Sequence, residues 1–218
     1  MKTRERIISQ VIDAYNTKGY HAFSLADLAQ LCNMSRGNLA YHYKYKEDIL
    51  DDIAVKMQKD IQRFSKKRKS YPAFHNLNLD IRTCTFLQGK YPFVFQDMSI
   101  LKHDSIKDVM TKWSRNVIKQ NMNAFAYGIE VENIKDEPIE GLYYQLAVNA
   151  WLITYNWLAQ KNVREIGQKE EAAVMVWSTI LPHFTKKGLS EFEGYYGADF
   201  LKNYGIPIKQ YSSIKHLF

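Results

Sequence analysis

The feature that most constrains the fold of this chain is a pair of very short helical segments joined by a two-residue turn. Ser24 and Ser35 each precede a run with apolar residues at helical spacing. Serine is a favoured N-cap because its hydroxyl accepts a hydrogen bond from a free amide of the first turn. The helix predicted after Ser24 has only about eight residues, a length that is marginal in isolation. It therefore requires neighbouring helices to stabilise it.

Longer helices are predicted on both sides of this pair. Residues 4–16 place apolar side chains at helical spacing, and Gly19 ends that first helix. A fourth helix begins near Lys46 and continues through a basic run to about residue 69. Two short helices with a tight turn, braced by helices on both sides, form a helix-turn-helix arrangement. The third helix, from Ser35 to about His42, would be the recognition helix.

The third helix has side chains suited to the major groove of DNA. Gly37 removes a side chain in the first turn, which allows close approach of the backbone. Its neighbours Arg36 and Asn38 can bond guanine and adenine edges, respectively. The aromatic and basic residues that follow suit phosphate contacts, and the start of the fourth helix should offer free N–H groups. Taken singly, each residue also fits plain capping or a solvated face. The candidate DNA-binding residues are Ser24, Ser35, Arg36, Gly37, Asn38, Tyr41, His42, Lys44 and Lys46.

The charge of the chain is concentrated near its start. The net charge is +7, and residues 1–70 hold 14 basic and 8 acidic residues, against 16 and 15 in residues 71–218. This asymmetry indicates an anion-binding module joined to a nearly neutral one. Nucleic acid is the leading anion and a membrane surface the second. The basic run 66–69 could touch DNA, but its predicted place at the far end of the fourth helix favours a solvated face.

The rest of the chain reads as helices. Residues 70–72 break the pattern and make the best boundary between a DNA-binding domain, residues 1–57, and a second domain, residues 70–218. No β-alternation is present, so the fold class is predicted to be all-α. The predicted helices are 73–89, 91–101, 104–127, 139–161, 168–187 and 189–203, with breaks at Gly89, Gly128, Pro138, Gly188 and Gly205.

Several other classes of protein find no support in the sequence. Nucleotide-binding and hydrolase motifs are absent, so an enzyme is not predicted. Cys32 and Cys84 fit no ligand pattern, and the six histidines lack metal-ligand spacing, so we predict neither a metal nor a cofactor. The charged N-terminus has no apolar segment of the secretory kind, which favours a cytoplasmic location.

Residues 141–160 contain no charged side chain over a length that could span a membrane. Amides and a threonine interrupt the segment, so a buried or interface helix is favoured over a membrane span. Gln145, Asn149, Asn156 and Gln160 lie within about 60° of one another at helical spacing. Three interpretations of this amide stripe remain open. It faces an effector pocket, it faces a partner helix, or its amides satisfy one another and the nearby backbone.

Residues 3 to about 57 resemble the DNA-binding domain of TetR-family transcriptional regulators. The resemblance is carried by the apolar face of the first helix, the run GYHAFSLADLAQLCNMSRGNLAYHYKYKEDIL and the opening of the fourth helix. Where the family usually has a phosphate-contacting tyrosine after Leu39, this chain has Ala40 followed by Tyr41. The positions that match the family pattern are Ser35, Gly37, Leu39, Tyr41, His42, Tyr43, Lys46 and Glu47.

The resemblance implies a homodimer that binds a palindromic operator and a larger helical domain that binds a ligand and dimerises. It also implies repression relieved by a small hydrophobic or aromatic effector. A second function class stays open: a helical DNA-binding protein whose larger domain recruits a protein partner and binds no small molecule. The candidate effector-binding residues are Phe86, Phe93, Trp113, Gln145, Asn149 and Asn156.

Overall fold

The protein is all-α, as predicted. The computed structural model describes residues 3–163, 171–197 and 199–200. Within these ranges a single isolated β-bridge, between Ile134 and Phe184, accompanies the helices. The helices are Thr3–Lys18 (α1), Leu25–Leu31 (α2), Arg36–His42 (α3), Asp48–Ser65 (α4), Phe74–Lys90 (α5), Pro92–Gln96 (α6), Met98–Leu101 (α7), Asp104–Glu130 (α8), Leu142–Val163 (α9), Ala172–Ile180 (α10) and Lys186–Tyr196 (α11).

The first three helices follow the sequence prediction closely. Gly19 ends α1 with a φ of 82°, a conformation that glycine adopts at little cost, and its amide bonds the carbonyl of Tyr15. The turn between α2 and α3 holds Asn33 at a φ of 53°, which is a left-handed conformation that asparagine tolerates. Leu28 of α2 and Leu39 of α3 are fully buried, so the two short helices are stabilised by packing.

The fourth helix is shorter than the sequence suggested, because it ends at Ser65 rather than near residue 69. The side chain of Asn76 accepts a hydrogen bond from the Lys69 amide and donates to the carbonyls of Lys69 and Tyr71. These bonds satisfy backbone groups that a continued helix would have used internally. Arg68 pairs with Asp80 of α5 and holds the end of α4 against that helix.

The predicted break at Gly89 is wrong, since α5 continues to Lys90. The break falls instead at Tyr91, directly before Pro92, because proline disfavours a helical conformation in the residue that precedes it. The helix predicted over residues 91–101 is divided in two at Asp97. The Asp97 carboxylate accepts a hydrogen bond from the Ser99 amide at 2.8 Å and so caps α7.

Gly128 and Gly188 are also not helix breaks, since both lie inside helices. Each permits a close contact instead. A Cβ on Gly128 would lie 2.8 Å from the Ile134 side chain, and one on Gly188 would lie 2.0 Å from the Asn133 carbonyl oxygen. The two glycines therefore let the loop after α8 pack against α8 and α11. The sequence correctly predicts the break at Pro138, which lies between α8 and α9.

The helix predicted over residues 168–187 is interrupted before Pro182. Helix α10 ends at Ile180 and is followed by a 3₁₀ turn over Leu181–His183 that contains this proline. The predicted start of this helix at residue 168, the end of the next at 203 and the break at Gly205 lie outside the described residues. None of the described helices is both long and apolar enough to cross a membrane.

The buried side chains form two clusters. The first joins α1–α4 to α6 and to the first half of α8 and includes Tyr15, Met57 and Phe93. The second joins the rest of α8 to α9–α11 and includes Phe125 and Trp177. Because the first cluster extends beyond α4, the N-terminal helices share a core with the helices that follow them.

Candidate nucleic-acid interface and effector cavity

The two short helices are capped as the sequence predicted. Ser24 and Asp27 form a reciprocal capping box, in which the Asp27 amide donates to Ser24 Oγ and the Ser24 amide donates to the Asp27 carboxylate. Hydrogen bonds that the hydroxyl and the amide of Ser24 donate to the carboxylate lower the pKa of Asp27. Ser35 Oγ accepts a hydrogen bond from the Asn38 amide at 3.1 Å. The capped ends set the orientation of α2 and α3.

One face of α3 is buried and the other is open to solvent. Leu39 anchors the helix in the core, whereas Arg36, Gly37 and Asn38 are exposed. A Cβ added to Gly37 would meet no atom of the protein within 4 Å. The absence of a side chain here is therefore not required by internal packing. The open face and the missing side chain permit close approach of a large flat partner.

The aromatic and basic residues after Asn38 divide between the surface and the interior. Tyr41 is 86 % exposed and Lys44 is also exposed. His42 is half-buried, and its carbonyl oxygen accepts a hydrogen bond from the Arg4 guanidinium at 2.9 Å. Arg4 lies on α1 and ties the end of α3 to the first helix. The local sequence does not reveal this positioning role of Arg4, because nothing in its pattern pairs positions so far apart.

Lys46 has an internal role that the sequence did not predict. Its ammonium group donates to the carbonyl oxygens of Phe23 and Tyr20, at 3.0 and 3.3 Å, and lies 3.9 Å from the Tyr20 ring centroid. An ammonium group has three N–H donors, so one remains for a phosphate. Lys46 joins the segment before α2 to the start of α4.

The first three residues of α4 have no free N–H group. The amides of Asp48, Ile49 and Leu50 donate to the carbonyls of the three preceding residues, and the Tyr45 amide donates to the Asp48 carboxylate. Within α4 itself, these bonds satisfy the amides of the first turn that are usually free at a helix start.

Tyr43 fixes the loop between α3 and α4. Its side chain is buried, and its hydroxyl donates to the Asp52 carboxylate at 2.7 Å. Burial, together with this bond and the nearby negative charge, raises the pKa of Tyr43. The neutral phenol therefore holds α3 against α4.

The basic run 66–69 lies beyond the far end of α4, a helix about 27 Å long at 1.5 Å per residue. Lys66, Lys67 and Lys69 are exposed, and Arg68 is paired with Asp80. This arrangement agrees with the solvated face that the sequence favoured.

Residues 7–53 match the sequence model described as bacterial regulatory proteins, tetR family. Over these residues the chain is similar to the DNA-binding segment of the tetR family. The matched residues extend from α1 into α4 and contain every capping and recognition feature described above. As the sequence predicts, the family is one of DNA-binding regulators rather than of enzymes.

Solved structures support a TetR-family fold beyond the matched residues. A TetR-family transcriptional regulator from Marinobacter aquaeolei VT8 superposes with a TM-score of 0.74 at 21% identity, covering 89% of this chain and 99% of that chain. AibR, solved with isovaleryl coenzyme A and operator DNA, gives 0.60 at 13% identity over 84% and 98% of the two chains. The SmeT–triclosan complex gives 0.57 at 14% identity over 86% and 93%.

A cavity of about 550 Å³ lies among the later helices. Its walls come from the segment 69–77, the second half of α8, the loop after it, α10 and α11. A volume of this size is typical of sites for small molecules. The apolar part of the lining includes Phe74, Leu77, Phe125, Ile134, Trp177, Ile180 and Phe184.

None of the six predicted effector-binding residues lines this cavity. Phe93 is buried against Tyr15, and Trp113 is buried against Trp151, so both belong to the first core cluster. Phe86 packs on Phe64 near the end of α4. The structure thus brings together a different set of residues, and the aromatic content of the sequence did not distinguish core rings from cavity rings.

The amides Gln145, Asn149 and Asn156 lie on the exposed side of α9. The Asn156 side chain donates to the Leu152 carbonyl one turn earlier. Leu152 is 48 % exposed, so this apolar side chain lies on a helix face that no other described part of the chain covers. Among the described residues, the exposed side chains of this face are all uncharged: Tyr144, Gln145, Asn149, Leu152, Asn156, Ala159, Gln160 and Val163.

Proposed function

We propose that this protein is a dimeric, sequence-specific transcriptional repressor that a small hydrophobic or aromatic molecule releases from a palindromic operator. The observation that carries the proposal is the exposed N-terminal face of α3 within the TetR-family domain. Arg36 and Asn38 are free to reach base edges, while Leu39 anchors the opposite face. We keep residues 1–57 as the proposed DNA-binding domain and residues 70–218 as the proposed effector and dimerisation domain.

The effector part of the proposal is supported by where the cavity lies. Residues that follow α4, including Lys69 and Phe74, form one of its walls. Helix α4 supports the recognition helix through Tyr43 and Asp52. A ligand that favours one arrangement of this wall would shift the population of α4 positions, and through them the affinity for DNA. AibR, solved with both a ligand and operator DNA, offers a precedent within the same fold.

The dimer part is supported by the uncharged face of α9 and by Met175 of α10, which is 38 % exposed. A protein surface normally carries charged groups, whereas homodimer interfaces are depleted of them. A twofold pairing of such faces would place two recognition helices on one side of the DNA, about 34 Å apart or at a multiple of one helical turn. The outward amides favour this interpretation of the stripe over a pocket.

Selection from a random-sequence DNA pool tests the proposal. The protein should enrich a palindrome with one half-site for each recognition helix. An apolar ligand panel should then contain at least one compound that lowers the affinity for the enriched DNA. Enrichment of a single, non-palindromic site would contradict the dimeric mode. Binding that no ligand changes would favour the alternative function, a partner-recruiting DNA-binding protein.

A further inference from the structure

The chemistry of the cavity can be described further, on the assumption that it is the effector site proposed above. Its largest lining groups are rings, and Trp177 lies edge-on to both Phe74 and Phe192 at centroid distances of 5.6 and 5.0 Å. Three tyrosines of the lining, Tyr71, Tyr127 and Tyr195, are each 39 to 56 % exposed. Such walls favour a ligand with a flat, apolar ring system.

One polar side chain of the lining is buried and incompletely bonded. Asn121, in the middle of α8, is 7 % exposed. Its side-chain Nδ2 is buried and has no hydrogen-bond partner among the described residues. A buried donor of this kind costs about 1–3 kcal/mol unless a partner arrives. Asn121 is therefore placed to donate to an acceptor that a ligand brings into the cavity.

A second unpaired polar atom lies behind Asn121. A small void of about 10 Å³ shares Leu77, Asn121 and Ala150 with the main cavity and is also lined by Asp80. One oxygen of Asp80 is paired with Arg68, and the other, Oδ2, is buried without a partner. The void is about the size of one oxygen-bearing group such as a water or a hydroxyl. Asn121 supplies a donor at this place and Asp80 supplies an acceptor.

A hydroxyl group satisfies both atoms at once, because it accepts one hydrogen bond and donates another. A carbonyl or ether could accept from Asn121 but would leave Asp80 unpaired. A carboxylate would also bring a second negative charge close to Asp80, which is unfavourable in a buried site. The Asn121 donor and the Asp80 acceptor together therefore select for a neutral hydroxyl group.

We infer that the effector is a neutral, ring-containing alcohol or phenol whose ring system fills the apolar part of the cavity and whose hydroxyl binds between Asn121 and Asp80. The same contact connects the ligand to the end of α4, since Asp80 is the partner of Arg68. Asn121 is then the residue that decides between hydroxylated ligands and their hydrocarbon analogues.

Three probes of similar shape test this inference: 2-naphthol, 2-methylnaphthalene and 2-naphthoate. Titration calorimetry with the full chain should show 2-naphthol binding about five- to tenfold more tightly than 2-methylnaphthalene, the effect of one good hydrogen bond. The naphthoate should bind more weakly than the naphthol. The substitution Asn121→Leu should reduce the preference for naphthol, since only the bond to Asp80 remains, and should leave the affinity for 2-methylnaphthalene within about twofold, because leucine lacks only the polar atoms.

Asn116→Leu provides the matched control, since Asn116 is exposed on the same helix. It should retain the preference for naphthol. The order of the three affinities is measured on the wild-type protein alone. If the wild type binds 2-methylnaphthalene or 2-naphthoate as tightly as 2-naphthol, the inference is overturned. A naphthol preference that is undiminished in Asn121→Leu overturns it as well, while leaving the effector cavity in place. If none of the probes binds, this inference is overturned, whereas the effector function itself is tested by the wider ligand panel.

Discussion

At the scale of single residues, Arg36 and Lys44 are both exposed cations near the open face of α3, but they are expected to act differently. Arg36→Ala should reduce operator affinity by about 1–3 kcal/mol and relax the preference at one base pair of each half-site. Lys44→Ala should weaken binding to all sequences alike and reduce the salt dependence, because a phosphate contact releases counterions. Fluorescence anisotropy with the operator and its single-base variants separates the two effects. Equal, sequence-independent losses for both variants would contradict these roles.

Lys46 is expected to contribute to folding as well as to DNA binding. Lys46→Ala removes two hydrogen bonds to the segment before α2 and a cation–π contact with Tyr20. The free energy of unfolding should fall by about 1–2 kcal/mol, so thermal melting should occur at a lower temperature than in the wild type. Lys44→Ala is the control and should melt like the wild type. An unchanged melting temperature for Lys46→Ala would show that these bonds make no net contribution to the free energy of unfolding.

Asp80 is expected to make stability depend on pH. Burial raises the pKa of Asp80 to about 6, although Arg68 opposes the shift. A group with a raised folded-state pKa binds protons more tightly in the folded state, so its contribution to stability is lost as pH rises through that pKa. Between pH 4 and 6 the wild type should therefore lose about 2 kcal/mol of stability relative to Asp80→Asn. Urea unfolding of both proteins across this range measures the difference. Parallel pH profiles would contradict the shift.

At the scale of elements, α11 is docked through a glycine. Gly188→Ala would place a Cβ against the Asn133 carbonyl oxygen, and a backbone atom cannot easily move aside. The free energy of unfolding should decrease by about 1–3 kcal/mol. Gly194→Ala is the matched control on the same helix, where a Cβ meets nothing within 4 Å. That change should stabilise by about 0.5–1 kcal/mol through helix propensity. The two variants should shift the melting temperature in opposite directions, and a shared direction would contradict the contact.

The Asn76 side chain stabilises the connection between α4 and α5. By bonding the backbone of Lys69 and Tyr71, it holds the connection that also forms a wall of the cavity. The element that carries the recognition helix and the element that would receive the effector are thus joined by a short, hydrogen-bonded segment.

At the scale of the whole molecule, the uncharged face of α9 should be the dimer interface. Leu152→Glu places a charge in the middle of this face, and an unpaired buried charge is costly. We expect a monomer at micromolar concentration by analytical ultracentrifugation, together with weaker operator binding. Val55→Glu is the control, since Val55 has nearly the same exposure, 47 %, on α4. If Leu152→Glu remains a dimer, the interface lies on another surface.

Short-range patterns were enough to predict the helical fold and the DNA-binding helices from the sequence alone. The caps Ser24 and Ser35 act on amides three residues away, and the periodicity that buries Leu28 and Leu39 repeats within a single helix. These features depend on neighbours along the chain, which is why residues 24–42 could be assigned to helices and a turn without any tertiary information.

The cavity depends on the tertiary structure, because its walls come from segments far apart in the chain. Phe74, Asn121 and Trp177 meet only when α5, α8 and α10 pack together. Nothing in the sequence around Trp177 distinguishes it from Trp113, which lies in the core, because both are large apolar rings at helical spacing. The roles of Gly188 and Lys46 were likewise set by atoms more than 20 residues away in the chain, the Asn133 carbonyl and the carbonyls of Tyr20 and Phe23. Local sequence determines which segments become helices, whereas the packing of those helices decides which side chains share a cavity.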